Sequence, residues 1–331
     1  MRVKNILISL GSLVVFAVII KLFSFSTTAN QNNSPSKIKE DDSTQNQKAK
    51  DYNQYIKDNY KAFAIPLPTE ITFAGETVPA QDIDVRERLD KEFTVNTFWH
   101  SQTFLFHKRA NRYFPLIEKI LAEQGVPDDF KYLALIESGL DNVKSPAGAA
   151  GFWQFMPSTG KGYGLEVNKY VDERYHLEKA TYAACKYLLT AKKELGSWTL
   201  AAASYNMGKA GVKNRLKQQQ AETYYDLRLN SETARYVFRI IAAKYILSNS
   251  EQYGFNLREE ELYHPLKTKE ISVDTTVNSL IKFSISQNTN YKIIKRMNPW
   301  LRSTILPNKS RKKYVISLPA DEENMKPMNQ Y

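Results

Sequence analysis

Glu137 is the residue in this sequence best placed to act as an acid. It lies in ALIESGL, behind Pro127-Asp128-Asp129, which opens a helix, and just ahead of Gly139, which ends it. At about 100° per residue, Glu137 falls on the same face as Phe130, Leu133 and Ala134. A glutamate near a helix end is ordinarily a solvated surface group. On an apolar stripe it loses water, which disfavours the carboxylate and raises its pKa. A carboxyl group that holds its proton near neutral pH is what protonation of a glycosidic oxygen requires.

Three further stretches carry polar groups that could serve such an acid. SPAGAAGFWQFMPSTG combines Gly148 and Gly151 with Phe152, Trp153, Gln154 and Met156. One reading is a turn packed onto the core by its aromatics. The other is a cleft wall, with aromatic faces for sugar C–H surfaces, Gln154 for amide hydrogen bonds and small residues for close backbone approach. AAASYNMG places Tyr205 and Asn206 at the end of a small-residue helix. In SETARYVFRIIAAKYIL, Tyr236 falls in line with Ile240, Ala243 and Leu247. Its ring therefore faces the core, and its hydroxyl needs a buried partner, for which a carboxyl group is suitable.

The elements that must position these residues are helices. From about residue 85 to 257 the chain reads as RERLDKEF, TFWHSQTFLFHKRANRYFPLIEKILAEQ, the Glu137 helix, HLEKATYAACKYLLTAKKELG, TLAAASYN and SETARYVFRIIAAKYILSN. Residues 51–84 add a short helical piece and an extended, Pro-punctuated segment that wraps the main domain. Residues 265–331 change character: KEISV and KKYVISLP read as strands around the short helices VNSLIKFSIS and NYKIIKRMNPW. The fold class is mainly α, with a small α+β unit at the end.

At the amino terminus, Arg2 and Lys4 precede the uncharged run ILISLGSLVVFAVII, an export signal. Residues 5–25 approach the roughly 20 residues that span a bilayer, and STTA is a poor cleavage site. An uncleaved anchor is the preferred reading over a cleaved peptide, with the chain beyond it outside the cytoplasm. Residues 26–50 are rich in Asn, Gln, Ser and Lys, a flexible tether.

Composition narrows the partners. The net charge of +11 favours anionic ones, but no compact Lys/Arg tract interleaved with aromatics is present, and export argues against nucleic acid. The single cysteine, Cys185, excludes an internal disulfide framework and reads as a core thiol. The four histidines have no metal-ligand spacing, so neither metal nor cofactor is expected.

ALIESGL, SPAGAAGFWQFMPSTG, AAASYNMG and the YVFRI tyrosine, in that order over about residues 110–250, resemble family 23 glycoside hydrolases. Within them the chain looks like the membrane-bound lytic murein transglycosylases of the MltD type. Gly151-Phe152-Trp153-Gln154 replaces the usual Gly-Leu-Met-Gln, and Ser204-Tyr205-Asn206 the usual Ala-Tyr-Asn. The last segment resembles a LysM module, with Val273-Asp274-Thr275-Thr276 in place of the usual Gly-Asp-Thr-Leu turn, so glycan binding and a packing role both stay open there. The implied organisation is a signal-anchor (1–25), a linker (26–50), a wrapping segment with helices (51–110), a lysozyme-like domain (111–257) and a LysM-like module (265–331).

The resemblance implies that Glu137 protonates the bond between N-acetylmuramic acid and N-acetylglucosamine in peptidoglycan strands and then acts as base. It implies that Ser138 and Gln154 bind sugar or hold the acid, that Gly151, Trp153 and Tyr205 support the site, that Asn206 orients the muramyl N-acetyl group, and that Tyr236 hydrogen-bonds Glu137. The muramyl 6-hydroxyl is then the internal nucleophile and the product is 1,6-anhydro, made on the periplasmic side of a membrane-anchored envelope enzyme. Hydrolysis by a muramidase needs a second carboxyl group. Related goose-type lysozymes carry an acid two positions beyond the motif glutamine, where this chain has Met156; Asp141, Glu166, Asp172 and Glu173 are the remaining candidates. A non-catalytic wall-binding protein is the reading from another class, and the presence of Glu137, Asn206 and Tyr236 argues against it.

Overall fold

Helices of up to 24 residues dominate the described residues because their apolar residues recur every three to four positions. The computed structural model describes residues 50–51, 53–58 and 62–320. The expected anchor over 1–25 and all but the last residue of the linker over 26–50 lie outside the described residues. Among the described residues no helix is long and apolar enough to cross a membrane. Residues 50–51 and 53–58 are helical and belong to a unit that ends at Phe63; a second unit begins at Ala64.

In that second unit a small hairpin, β1 (Thr72–Phe73) and β2 (Glu76–Thr77), comes first. Its turn uses Ala74 and Gly75, both at positive φ (51° and 78°), the geometry that suits a two-residue hairpin. The hairpin holds two site-bearing helices. Phe73 is fully buried edge-on against Phe130, with ring centroids 5.3 Å apart, and the Ala74 N–H donates to Asp129 Oδ2 at 2.6 Å. The Glu76 carboxylate accepts from the N–H groups of Trp198 (2.6 Å) and Thr199 (2.9 Å), where an anion satisfies orphan donors at a helix start.

The helical body follows: α1 (Ile83–Phe98), α2 (His100–Glu123), α3 (Lys131–Ser138), α4 (Pro157–Gly162), α5 (Leu177–Leu195), α6 (Trp198–Met207), α7 (Lys209–Gln219) and α8 (Ser231–Ser248). The sequence suggested that the long aromatic helix starts at Thr97; instead α1 runs through Phe98 and the break falls at Trp99 (φ −84°, ψ 59°). Helix α8 packs against α1, α3 and α6, and its Tyr236, Val237, Ile240, Ile241 and Ala243 are buried. In α6, Ala201, Ala202, Ala203 and Ser204 are all fully buried, so small side chains let its backbone pass through the middle of the domain. Cys185 is a buried free thiol whose pKa burial pushes up to about 12, which keeps it protonated and inert.

The terminal module has the expected order β3 (Thr268–Val273), α9 (Leu280–Ser286), α10 (Tyr291–Met297), β4 (Tyr314–Pro319). The strands pair antiparallel from Thr268↔Pro319 to Val273↔Tyr314. Ser279 and Asn290 cap the two helices with side-chain oxygens. Its apolar cluster, including Leu280, Ile294, Trp300, Leu301 and Ile316, also contains Ala150, Val171 and Tyr175 from the helical body. Among the described residues the protein is therefore mainly helical, with two small two-stranded sheets.

Candidate active site

Helix α3 follows a single 3-10 turn (Asp128–Phe130) and is stopped by Gly139 in the left-handed region, φ 63°. Phe130, Leu133 and Ala134 are all fully buried, as the wheel implied, and Glu137 sits half-buried beyond them on their face. Tyr236 of α8, 2% exposed, donates its hydroxyl hydrogen to Glu137 Oε1.

Burial pushes the Glu137 carboxyl up to about 7, and the negative charge of Glu232 adds to that rise. The Tyr236 hydrogen bond and the nearby Arg239 charge pull the other way without cancelling it. The group can therefore give up a proton and take one back near neutral pH.

Asn206 and Tyr205 end α6 on this side of the domain. The Asn206 amide is held at both ends by the first turn of α8: Nδ2 donates to Glu232 Oε1 at 3.0 Å, and Thr233 Oγ1 donates to Asn206 Oδ1 at 2.7 Å. One Nδ2 hydrogen is left to meet a ligand. The Tyr205 hydroxyl donates to the Trp153 carbonyl at 2.8 Å and so ties α6 to the 148–155 loop. Ser138 Oγ lies 2.9 Å from the Phe152 carbonyl oxygen and 3.2 Å from that of Ala134, joining the end of α3 to the same loop.

The structure decides between the two readings of the loop's aromatic residues. Trp153 and Phe152 are 0% and 2% exposed, and the indole N–H donates to Thr181 Oγ1 at 2.9 Å, so neither ring offers a face to a sugar. Met156, 41% exposed, is the large hydrophobic side chain of this stretch that reaches solvent. Gly151 is required by protein backbone, because a Cβ there would overlap the Arg174 carbonyl oxygen. Gln154 adopts φ 45°, and its amide nitrogen donates to Gly151 O (2.7 Å) and Val143 O (3.2 Å). Both amide hydrogens serve the loop, leaving the side-chain oxygen for a ligand.

Glu232, Thr233, Arg239 and Arg174 were missed in the sequence. Glu232 was within reach, since it stands one helical turn before Tyr236 and shares its face. An NMR titration of the Glu137 carboxyl should give an apparent pKa near 7, higher in Tyr236→Phe and lower in Glu232→Gln. Shifts of the same sign in both variants would contradict this electrostatic arrangement.

Comparison with known proteins matches the same regions. Residues 115–227 match the family model described as the transglycosylase SLT domain. Residues 269–322 match that of the soluble lytic transglycosylase C-terminal LysM-like domain. The membrane-bound lytic murein transglycosylase D of Escherichia coli (strain K12) is 32% identical over 186 residues, which cover 54% of this chain and 40% of that protein. The protein of the same name from Escherichia coli O6:H1 gives the same figures. The shared stretch thus spans less than half the length of these curated relatives.

Proposed function

We propose that this chain, which carries an SLT transglycosylase domain and a LysM-like tail, is a peptidoglycan lytic transglycosylase of the cell envelope. The observation that carries the reading is a single glutamate, Glu137, desolvated until it titrates near 7 and held by a buried tyrosine. Glu137 protonates the oxygen between N-acetylmuramic acid and N-acetylglucosamine as that bond breaks. The resulting carboxylate takes the proton of the muramyl 6-hydroxyl, whose oxygen attacks the anomeric carbon to close the 1,6-anhydro ring. Proton and electron pair balance, and Glu137 ends as it began. Asn206, fixed by Glu232 and Thr233, supplies a pre-set amide for the N-acetyl group.

The alternative is hydrolysis with a second carboxylate. Each earlier candidate is engaged elsewhere: Asp141 with Arg109, Glu166 with Lys312, Asp172 with Arg174 and Glu173 with Lys179. Glu232 remains the carboxylate on which a hydrolytic mechanism would rest, since its charge acts on Glu137. The two reactions differ by one water in the product. Mass spectrometry of muropeptides released from purified wall should show the anhydro form; a reducing product one water heavier would establish hydrolysis instead. The membrane anchor over residues 1–25 and the periplasmic setting belong to the same proposal, supported by the apolar run behind Arg2 and Lys4.

A further inference from the structure

The segment Val171–Tyr175 faces two ways. On one side, Asp172 and Arg174 form a buried pair, 7% and 5% exposed. Arg174 Nε lies 2.9 Å from Asp172 Oδ1, and Nη2 lies 2.7 Å from Oδ2. The remaining nitrogen, Nη1, donates to the carbonyls of Gly148 (2.8 Å) and Phe155 (2.9 Å), the two ends of the loop that carries Gly151 and Gln154. The fork geometry of a guanidinium lets one side chain grip a carboxylate and two carbonyls together.

On its other side the same segment is built into the terminal module. Val171 forms an antiparallel bridge with Leu301, the Asp172 N–H donates to Trp300 O at 2.9 Å, and the Arg302 N–H donates to Tyr170 O at 2.8 Å. The Arg302 guanidinium stands 4.1 Å from the centre of the Tyr175 ring. Lys312 reaches Glu166 at 2.6 Å, and the Tyr314 hydroxyl donates to the same carboxylate. Ala150, immediately before Gly151, is fully buried in the module's own apolar cluster. A module that only anchors glycan needs no apolar cluster shared with residues of the catalytic body.

We propose that the terminal module is a brace for the active-site loop, acting through Arg174 as a positioning residue and docked through Trp300, Leu301 and Arg302. The proposal rests on the reading of Glu137 as the glycan-cleaving acid. Losing the brace lets the 148–155 loop drift from Ser138 and Tyr205, and misplacement of site groups by about 1 Å can cost up to about 100-fold in rate.

The test uses the full chain with Arg174→Lys, which keeps the charge but loses the fork, and with Arg302→Ala, an exposed change that spares the module's interior. Four quantities are measured: kcat and KM on soluble glycan strands, retention on insoluble wall, and amide hydrogen exchange across residues 148–155. The expected results are a kcat lower by about 10- to 100-fold in Arg174→Lys and about threefold in Arg302→Ala. KM and wall retention should stay close to wild type, and exchange across the loop should become faster in both variants. Unchanged exchange and unchanged kcat would overturn the brace, and so would weakened wall retention as the sole effect. Failure of the wild type to release any product would sink the Glu137 reading instead, and the exchange measurement would still decide for or against the brace.

Discussion

Glu137→Gln should remove glycan cleavage by at least about 1,000-fold and, at the same time, stabilise the protein at alkaline pH. The first effect follows from the loss of the proton donor in a site where an amide cannot replace it. The second follows from linkage. The carboxyl titrates at about 7 in the folded protein against 4.5 for the free group, so burial favours its neutral form. Stability from this group is fully present below the unfolded pKa and falls as pH rises through 4.5 toward 7, where the folded state must ionise a desolvated acid. Glutamine never ionises. The variant should therefore match wild type at pH 4 and exceed it at pH 8.5 by about 1–3 kcal/mol, the upper figure being most of the shift at about 1.36 kcal/mol per pKa unit. Urea unfolding at the two pH values measures this directly. A variant no more stable at pH 8.5 than wild type would mean that Glu137 is adequately hydrated, and wild-type turnover would mean that another acid does the work.

The same desolvation explains why this side chain could be found before any coordinates. Phe130, Leu133 and Glu137 repeat at helical spacing, and Gly139 marks the stop, so the face and the end of α3 follow from local pattern, whereas its expected opening at Asp128 is a 3-10 turn and the α-helix begins at Lys131. Tyr236 was legible for the same reason, and its buried ring brings the hydroxyl onto the acid. What could not be read depends on contacts distant along the chain. Trp153 occurs among glycines in a way that suits an exposed platform as well as a core plug; only the partner Thr181, 28 positions on, decides for the core. The helix break at Trp99 has no glycine or proline to announce it, and the residue itself is 56% exposed. The module's strands and helices could be seen in sequence, but its shared cluster with Ala150, Val171 and Tyr175 could not, because isolated apolar and aromatic residues carry no sign of which surface they meet.

Gly151→Ala should be the most damaging single-methyl change in the loop, and Gly148→Ala is its natural control. Both glycines have positive φ, 78° and 94°, so alanine at either site suffers the left-handed backbone penalty of about 1–2 kcal/mol. Their surroundings differ. A Cβ at Gly148 meets nothing within 4 Å, whereas at Gly151 it would overlap the carbonyl of Arg174. That carbonyl has little room to retreat, since Arg174 is fixed by Asp172 and Asp172 by Trp300. The loop must move instead, and overpacking of this kind adds about 1–3 kcal/mol. Moving it pulls the Trp153 carbonyl from Tyr205 and the Phe152 carbonyl from Ser138. Gly151→Ala should thus lose about 2–5 kcal/mol of stability and about 100-fold in kcat, while Gly148→Ala loses only the backbone term. Denaturant unfolding and turnover of the two variants side by side separate the contributions. Equal losses at the two positions would mean that the close approach of Gly151 to Arg174 does not exist, leaving the guanidinium bonds to Gly148 and Phe155 as the link between Arg174 and the loop.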